Sequence, residues 1–205
     1  MHGYSDRINH ALAFAAKYYG AVAPAGAGMA YLAHPANVAV ILARYGCDQI
    51  TVVAGILHHV LEEAVPEDRP RLERKVAEKF GPVALAVAKD ALEPKFDRRG
   101  MERPWQACKQ EYLTQLAIAE PRALDICVAD EIHACGSTVT ALRRLGVEYL
   151  RTVSRAGSEQ TIWWYRSMLE ILAGRSDWPQ RDMMSELRLM SADLVRSLRE
   201  REEDL

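Results

Sequence analysis

The sequence predicts an all-α protein, a bundle of helices without a sheet. Apolar residues recur at helical spacing along most of the 205 residues. No segment alternates apolar and polar residues between hairpin turn signals. The Gly and Pro breakers fall where one periodic segment gives way to the next.

Taken in order, Ser5-Asp6 caps a first helix through about Tyr19. The stretch GAVAPAGAGMAY, rich in Gly, Ala and Pro, then reads as a loop closed by His34. Pro35 suits the first turn of a helix that runs to Tyr45 and is ended by Gly46. Asp48 caps the next helix, from Gln49 to about Ala64. A charged helix over 68–80 stops at Gly81, and Pro82 opens another that fades near Glu93-Pro94. The basic segment PKFDRRGMERP, residues 94–104, is expected to be the most mobile. Helices at about 105–119, 121–145, 149–154, 159–173 and 179–202 complete the count, and the last frays into solvent at REREEDL.

A chain of this length fits one domain spanning 1–205. With 49% hydrophobic residues, 26% charged residues and a net charge of -2, neither disorder nor attraction to a nucleic-acid polymer or membrane surface is indicated. Four cysteines without CxxC pairing suit reduced, buried thiols. No apolar run approaches the roughly 18 residues of a membrane span, and the N-terminus lacks a signal-peptide pattern. A cytoplasmic protein is expected, and homo-oligomerisation is compatible with this composition.

Four polar residues stand out in the stretch GILHHVLEEA. The helix 49–64 is apolar nearly all round, marking it as central. His58 and Glu62, like His59 and Glu63, lie one turn apart and form one polar patch. A buried patch needs hydrogen-bonded pairing or a metal to offset its desolvation, and the residues alone leave both readings open. Asp130, embedded in ALDICVADEIHACG, also needs a partner. His34, His58, His59 and Asp130 make a ligand set of nitrogen and oxygen donors from three helices. Glu62, one turn beyond His58, then suits the handling of a reacting water.

At these residues the sequence resembles the HD-domain metal-dependent phosphohydrolases, and within them the Rel/SpoT-type small alarmone hydrolases. The resemblance rests on YLAHPANVAVIL, VVAGILHHVLEEA, KFGPVALAV and VADEIHA, in family order, and on PWQACKQEYLTQL and TIWWYRSMLEIL; it spans about residues 8–173. It implies an HD-domain helical bundle with one manganese-like ion held by His34, His58, the position of His59 and Asp130. The family's acidic pair, which positions or activates water, is here Glu62-Glu63.

Several positions depart from that pattern. His59 stands where the family carries aspartate, making a nitrogen-richer set that favours Zn, Fe, Co or Ni over Mn. Ala134 replaces the family's asparagine, Ser137 stands near its threonine or serine, and Ala25 is nearest to its basic loop residue. These changes remove groups expected to hold a guanine nucleotide and weaken an alarmone substrate.

For substrate contacts, Lys109 on the KQEYL segment, Ser137 and Trp164 are the candidates, with Lys95, Arg98, Arg99 and Arg103 available from the 94–104 loop. A basic loop in solvent and aromatics in a core are the plainer readings of these residues. The expected function is a metal-dependent phosphohydrolase acting on a small phosphorylated metabolite or nucleotide, with Glu62 and Glu63 catalytic. The competing expectation is a catalytically inactive HD-fold protein that binds a nucleotide or protein partner. A helical assembly module that binds no metal is a third.

Overall fold

The computed structural model describes residues 4–22, 28–97, 99–146 and 157–202. Among these residues the chain forms nine helices and no strand: α1 (Asp6–Val22), α2 (Gly28–Arg44), α3 (Gln49–Glu62), α4 (Arg69–Phe80), α5 (Pro82–Asp90), α6 (Trp105–Leu116), α7 (Pro121–Leu145), α8 (Ser158–Gly174) and α9 (Arg181–Glu202). The all-α expectation holds. No helix is long and apolar enough to cross a membrane among the described residues.

Helix α3 is the centre of the bundle, as its apolar circumference requires. It packs against α1, α2, α4, α5 and α7, and Val53, Ala54, Ile56, Leu57, Val60 and Leu61 are fully buried. Asp48 starts it in the predicted way, its carboxylate accepting from Thr51 N at 2.8 Å. Gly55 lets α2 approach closely, since a Cβ there would stand 2.5 Å from Leu42 Cδ1. The expected breaks after α2 and α4 occur at Gly46 and Gly81, with φ of 72° and 91°, a region that favours glycine.

One boundary differs from expectation. Helix α2 begins at Gly28, so His34 and Pro35 lie inside it rather than at a loop junction. Pro35 has a helical φ but lacks the N–H that would bond Tyr31 O, and its ring crowds that carbonyl; Met29, Ala30, Leu32 and Ala33 before it are of good helix-forming types. Tertiary contact reinforces the early turn: Tyr31 stacks on Tyr19 of α1 with centroids 6.0 Å apart. Local breaker composition is outweighed here by packing. The expected helix 149–154, with Arg98 and Ala25, lies outside the described residues.

The 94–104 segment folds back on itself. Phe96 and Glu102 form an isolated antiparallel bridge, Arg103 N donates to Lys95 O, and Asp97 Oδ1 accepts from Arg99 N and Met101 N. Helices α8 and α9 form a hairpin docked by its connection. Arg175 donates to Leu116 O and Ala119 O at the end of α6, both at 2.6 Å, and the fully buried Trp178 donates to Asp125 Oδ1 at 2.8 Å. All four cysteines are free, three of them buried.

Candidate metal centre

Helices α2, α3 and α7 contact one another pairwise, which brings together polar residues from three separate stretches of sequence. His34 of α2 lies between two groups of α7. Its Nε2 is 2.6 Å from Asp130 Oδ1, and its Nδ1 is 2.8 Å from His133 Nδ1. Only one nitrogen of the His34–His133 pair carries the shared proton. Ser137 Oγ continues the chain, 3.4 Å from His133 Nε2.

From α3, His58 is buried, and its Nδ1–H donates to Gly55 O at 2.6 Å. That bond directs Nε2 towards Asp130, 3.6 Å from Oδ1. The His59 ring packs 4.3 Å from the His34 ring. Donor atoms of His34, His59 and Asp130 all lie within 4.8 Å of one another. His58 borders this group through Asp130. The four residues singled out in the sequence are therefore neighbours in space.

The electrostatics suit a cation. Burial opposes ionisation of Asp130, but hydrogen bonds from His34 and His58 outweigh it and hold the carboxyl well below its usual range. Burial likewise opposes protonation of His58, and the Asp130 bond and charge reverse the balance, raising it. At His59 burial, with the His34 and His58 charges, outweighs the Asp130 and Glu62 charges and depresses it to about 3. It is an uncharged imidazole at neutral pH, the form that ligates metals. A divalent transition ion fits this donor set of imidazoles around a carboxylate.

Nearby, Tyr19 joins the ring stack that reaches His59, with centroids 6.2 Å apart, and its buried hydroxyl has no hydrogen-bond partner among the described residues. Glu62 is largely buried and forms an ion pair with Lys95, Nζ to Oε1 2.5 Å. Burial raises the Glu62 carboxyl, but the Lys95 and His58 charges prevail and lower it. Glu63 caps the end of α3, exposed, 3.6 Å from Lys95 Nζ.

The expected substrate residues are distributed differently. Lys109 is enclosed, 3.0 Å from Glu93 Oε2 and 3.8 Å from Glu131 Oε1, with its Nζ 4.2 Å from the centre of the Trp164 ring. Trp164 is buried, stacked on Tyr112, and donates from Nε1 to Glu131 Oε1 at 3.1 Å. Ser137 is exposed and lines a cleft of about 790 Å3 together with His133 and Arg44. Arg103 pairs with Glu111 at 2.6 Å.

Two features escaped the sequence. Glu131 is a buried carboxyl pushed up to about 7, chiefly by burial; its place in the apolar run beside Asp130 was the available signal. Nothing in the sequence marked Lys95 as the partner of Glu62, because that contact depends on how the 94–104 segment folds.

The sequence profile of the HD domain matches residues 11–161. The chain belongs to the HD-domain family. That family is one of metal-dependent phosphohydrolases whose members bind divalent metals. Among solved structures, the HD-domain chain is similar to lmo0812 from Listeria monocytogenes EGD-e, with a TM-score of 0.64 at 20% identity, covering 80% of this chain and 99% of that one. It is also similar to a metazoan ortholog of SpoT described as hydrolysing ppGpp, with a TM-score of 0.64 at 19% identity, covering 96% and 97%. These likenesses concern the fold. No curated protein matches the chain.

Proposed function

We infer that this HD-domain protein is a metal-dependent phosphohydrolase acting on a small phosphorylated metabolite or nucleotide. The observation that carries the reading is the convergence of His34, His59 and Asp130 donor atoms within 4.8 Å, with His58 alongside. These residues would hold one divalent transition ion, which supplies Lewis-acid polarisation of a phosphoryl oxygen. Zn, Fe, Co and Ni suit the nitrogen-rich set better than Mn.

The protein's own groups supply the rest. Lys95 keeps Glu62 ionised, so its carboxylate is in the form that accepts a proton. Water attacks phosphorus, its proton passes to Glu62, the P–O bond to the leaving group breaks, and the leaving oxygen takes up a proton from solvent while Glu62 returns its own to solvent. Glu63, 3.6 Å from Lys95 Nζ, assists as the second carboxylate, and the Lys95 ammonium balances charge on the phosphoryl oxygens. The ppGpp-hydrolysing activity of the metazoan relative supports a nucleotide-type substrate. Ala134, in the place of the family's asparagine, argues against the alarmone itself.

Assay of the purified protein with a divalent-metal series against phosphate esters and nucleotides tests this reading. Turnover that depends on metal and is lost in Asp130→Ala is the expected result; no turnover above that variant under any metal refutes it.

A second reading, a catalytically inactive protein that binds a nucleotide or protein partner, draws on the substitution at His59 and on the engagement of Glu62 by Lys95. An imidazole is larger than the carboxylate it replaces and, in the place of the reacting water, closes the open position that catalytic metal sites keep. His59→Asp separates the two: activity created by that change in a silent parent supports the second reading.

A further inference from the structure

We propose that the groove between α8 and α9 docks an acidic amphipathic helix of a protein partner. The groove encloses about 560 Å3 on a face of the hairpin built from other residues than the His–Asp cluster. Its rim carries Arg166 from α8 and Arg188, Arg196 and Arg199 from α9, and no carboxylate is among its described lining residues. All four arginines are exposed. Arg196 pairs with Asp193; Arg166, Arg188 and Arg199 make no ion pair with another described residue. In a chain of net charge -2, this concentrates like charge where mutual repulsion opposes it, a cost that an anionic partner removes.

The spacing selects the kind of anion. Residues 188, 192, 195 and 199 follow i, i+4, i+7, i+11 and share one face of α9. The arginines on this helix are thereby spread over about 16 Å at 1.5 Å per residue. A small phosphate ligand is held by groups converging on one point. Here positive charge instead flanks a half-buried apolar floor, formed by Ile162 and Leu169 of α8 and Val195 of α9. An apolar floor about two turns long, from Ile162 to Leu169, with arginines around it is complementary to a helix with an apolar stripe and acidic flanks. Its charges set orientation and on-rate, and its stripe supplies the buried area.

The test uses the full chain and two fluorescent peptides of about 15 residues, roughly four helical turns. One has Leu at i, i+3, i+7 and i+10 with Glu flanks, and the other is its scrambled isomer. In anisotropy titrations the amphipathic peptide is expected to bind at least about tenfold more tightly than the scrambled one, weakening with salt. Arg166→Glu/Arg188→Glu is expected to lower that affinity at least about tenfold while circular dichroism stays unchanged, both positions being exposed. The proposal is overturned by equal binding of the two peptides, by no binding, or by a folded variant of unchanged affinity. Displacement of the peptide by inorganic pyrophosphate at lower concentration, with the same arginine dependence, would make the groove a small-anion site and also overturn it.

Discussion

Lys95 Nζ lies 2.5 Å from Glu62 Oε1, so the carboxylate suited to handling water is one half of an ion pair. Lys95 opposes the effect of burial and lowers the Glu62 carboxyl. The contribution of this carboxylate to stability is present above its unfolded-state value and is lost as pH falls through the lower folded value.

Lys95→Met removes the lowering charge and leaves burial, which raises Glu62. The acid limb of the kcat/KM profile is expected to move to higher pH. Stability at neutral pH should fall by at least about 1–3 kcal/mol, the cost of a buried polar group left without its partner, which is greater for a charged one. A pH–rate series and urea midpoints measure both. An acid limb that stays in place would show that Glu62 does not accept the proton.

Metal retention should follow the geometry of the cluster. His34→Ala, His59→Ala and Asp130→Ala each remove a donor and are expected to abolish stoichiometric metal after desalting. His133→Ala keeps every donor but frees His34 Nδ1, 2.8 Å away in the parent, and should weaken metal affinity about 10–100-fold. Elemental analysis and chelator competition read these outcomes without recourse to activity. Full affinity in His133→Ala would assign that contact no orienting role.

Lys109 is held between two carboxylates, Glu93 and Glu131. Lys109→Met leaves Glu93 and Glu131 facing one another around an apolar side chain, and should destabilise the protein by roughly 3–5 kcal/mol, as when one partner of a buried pair is removed. A shifted thermal midpoint is the expected readout. A raised KM with an unchanged midpoint would instead place Lys109 at the substrate.

Gly55→Ala tests how tightly α2 packs on α3. Alanine favours a helix by up to about 1 kcal/mol over glycine, yet its Cβ would stand 2.5 Å from Leu42 Cδ1 in a fully buried environment. Overpacking of this kind costs about 1–3 kcal/mol, so net destabilisation is expected in urea unfolding. The displaced turn also carries Gly55 O, the acceptor for His58, and metal affinity should fall with it.

Most helices were legible because their signals are local. Asp48, Gly46, Gly81, Pro82 and Pro121 mark boundaries through backbone chemistry that needs no neighbour. The early start of α2 was not, because Gly28 and Pro35 argue locally for a break, and the Tyr31–Tyr19 stack that supports the turn comes from another helix. At the candidate site, His58, His59 and Asp130 were legible as polar groups in apolar surroundings, where desolvation makes an unpaired group costly, whereas His34, at an expected loop junction, was legible only beside them and through the family-like YLAHP segment.

By itself the sequence determined an all-α bundle centred on the helix from Gln49 to about Ala64, and a set of histidines and carboxylates that need hydrogen-bonded partners or a metal. Periodicity and desolvation act at single positions, and one chain displays them. Only the tertiary structure decided the pairings: His34 between Asp130 and His133, Lys95 on Glu62, Lys109 enclosed by Glu93, Glu131 and Trp164. An ion pair or a shared proton depends on distances of a few ångströms between residues up to 99 positions apart, and those distances are set by how helices pack.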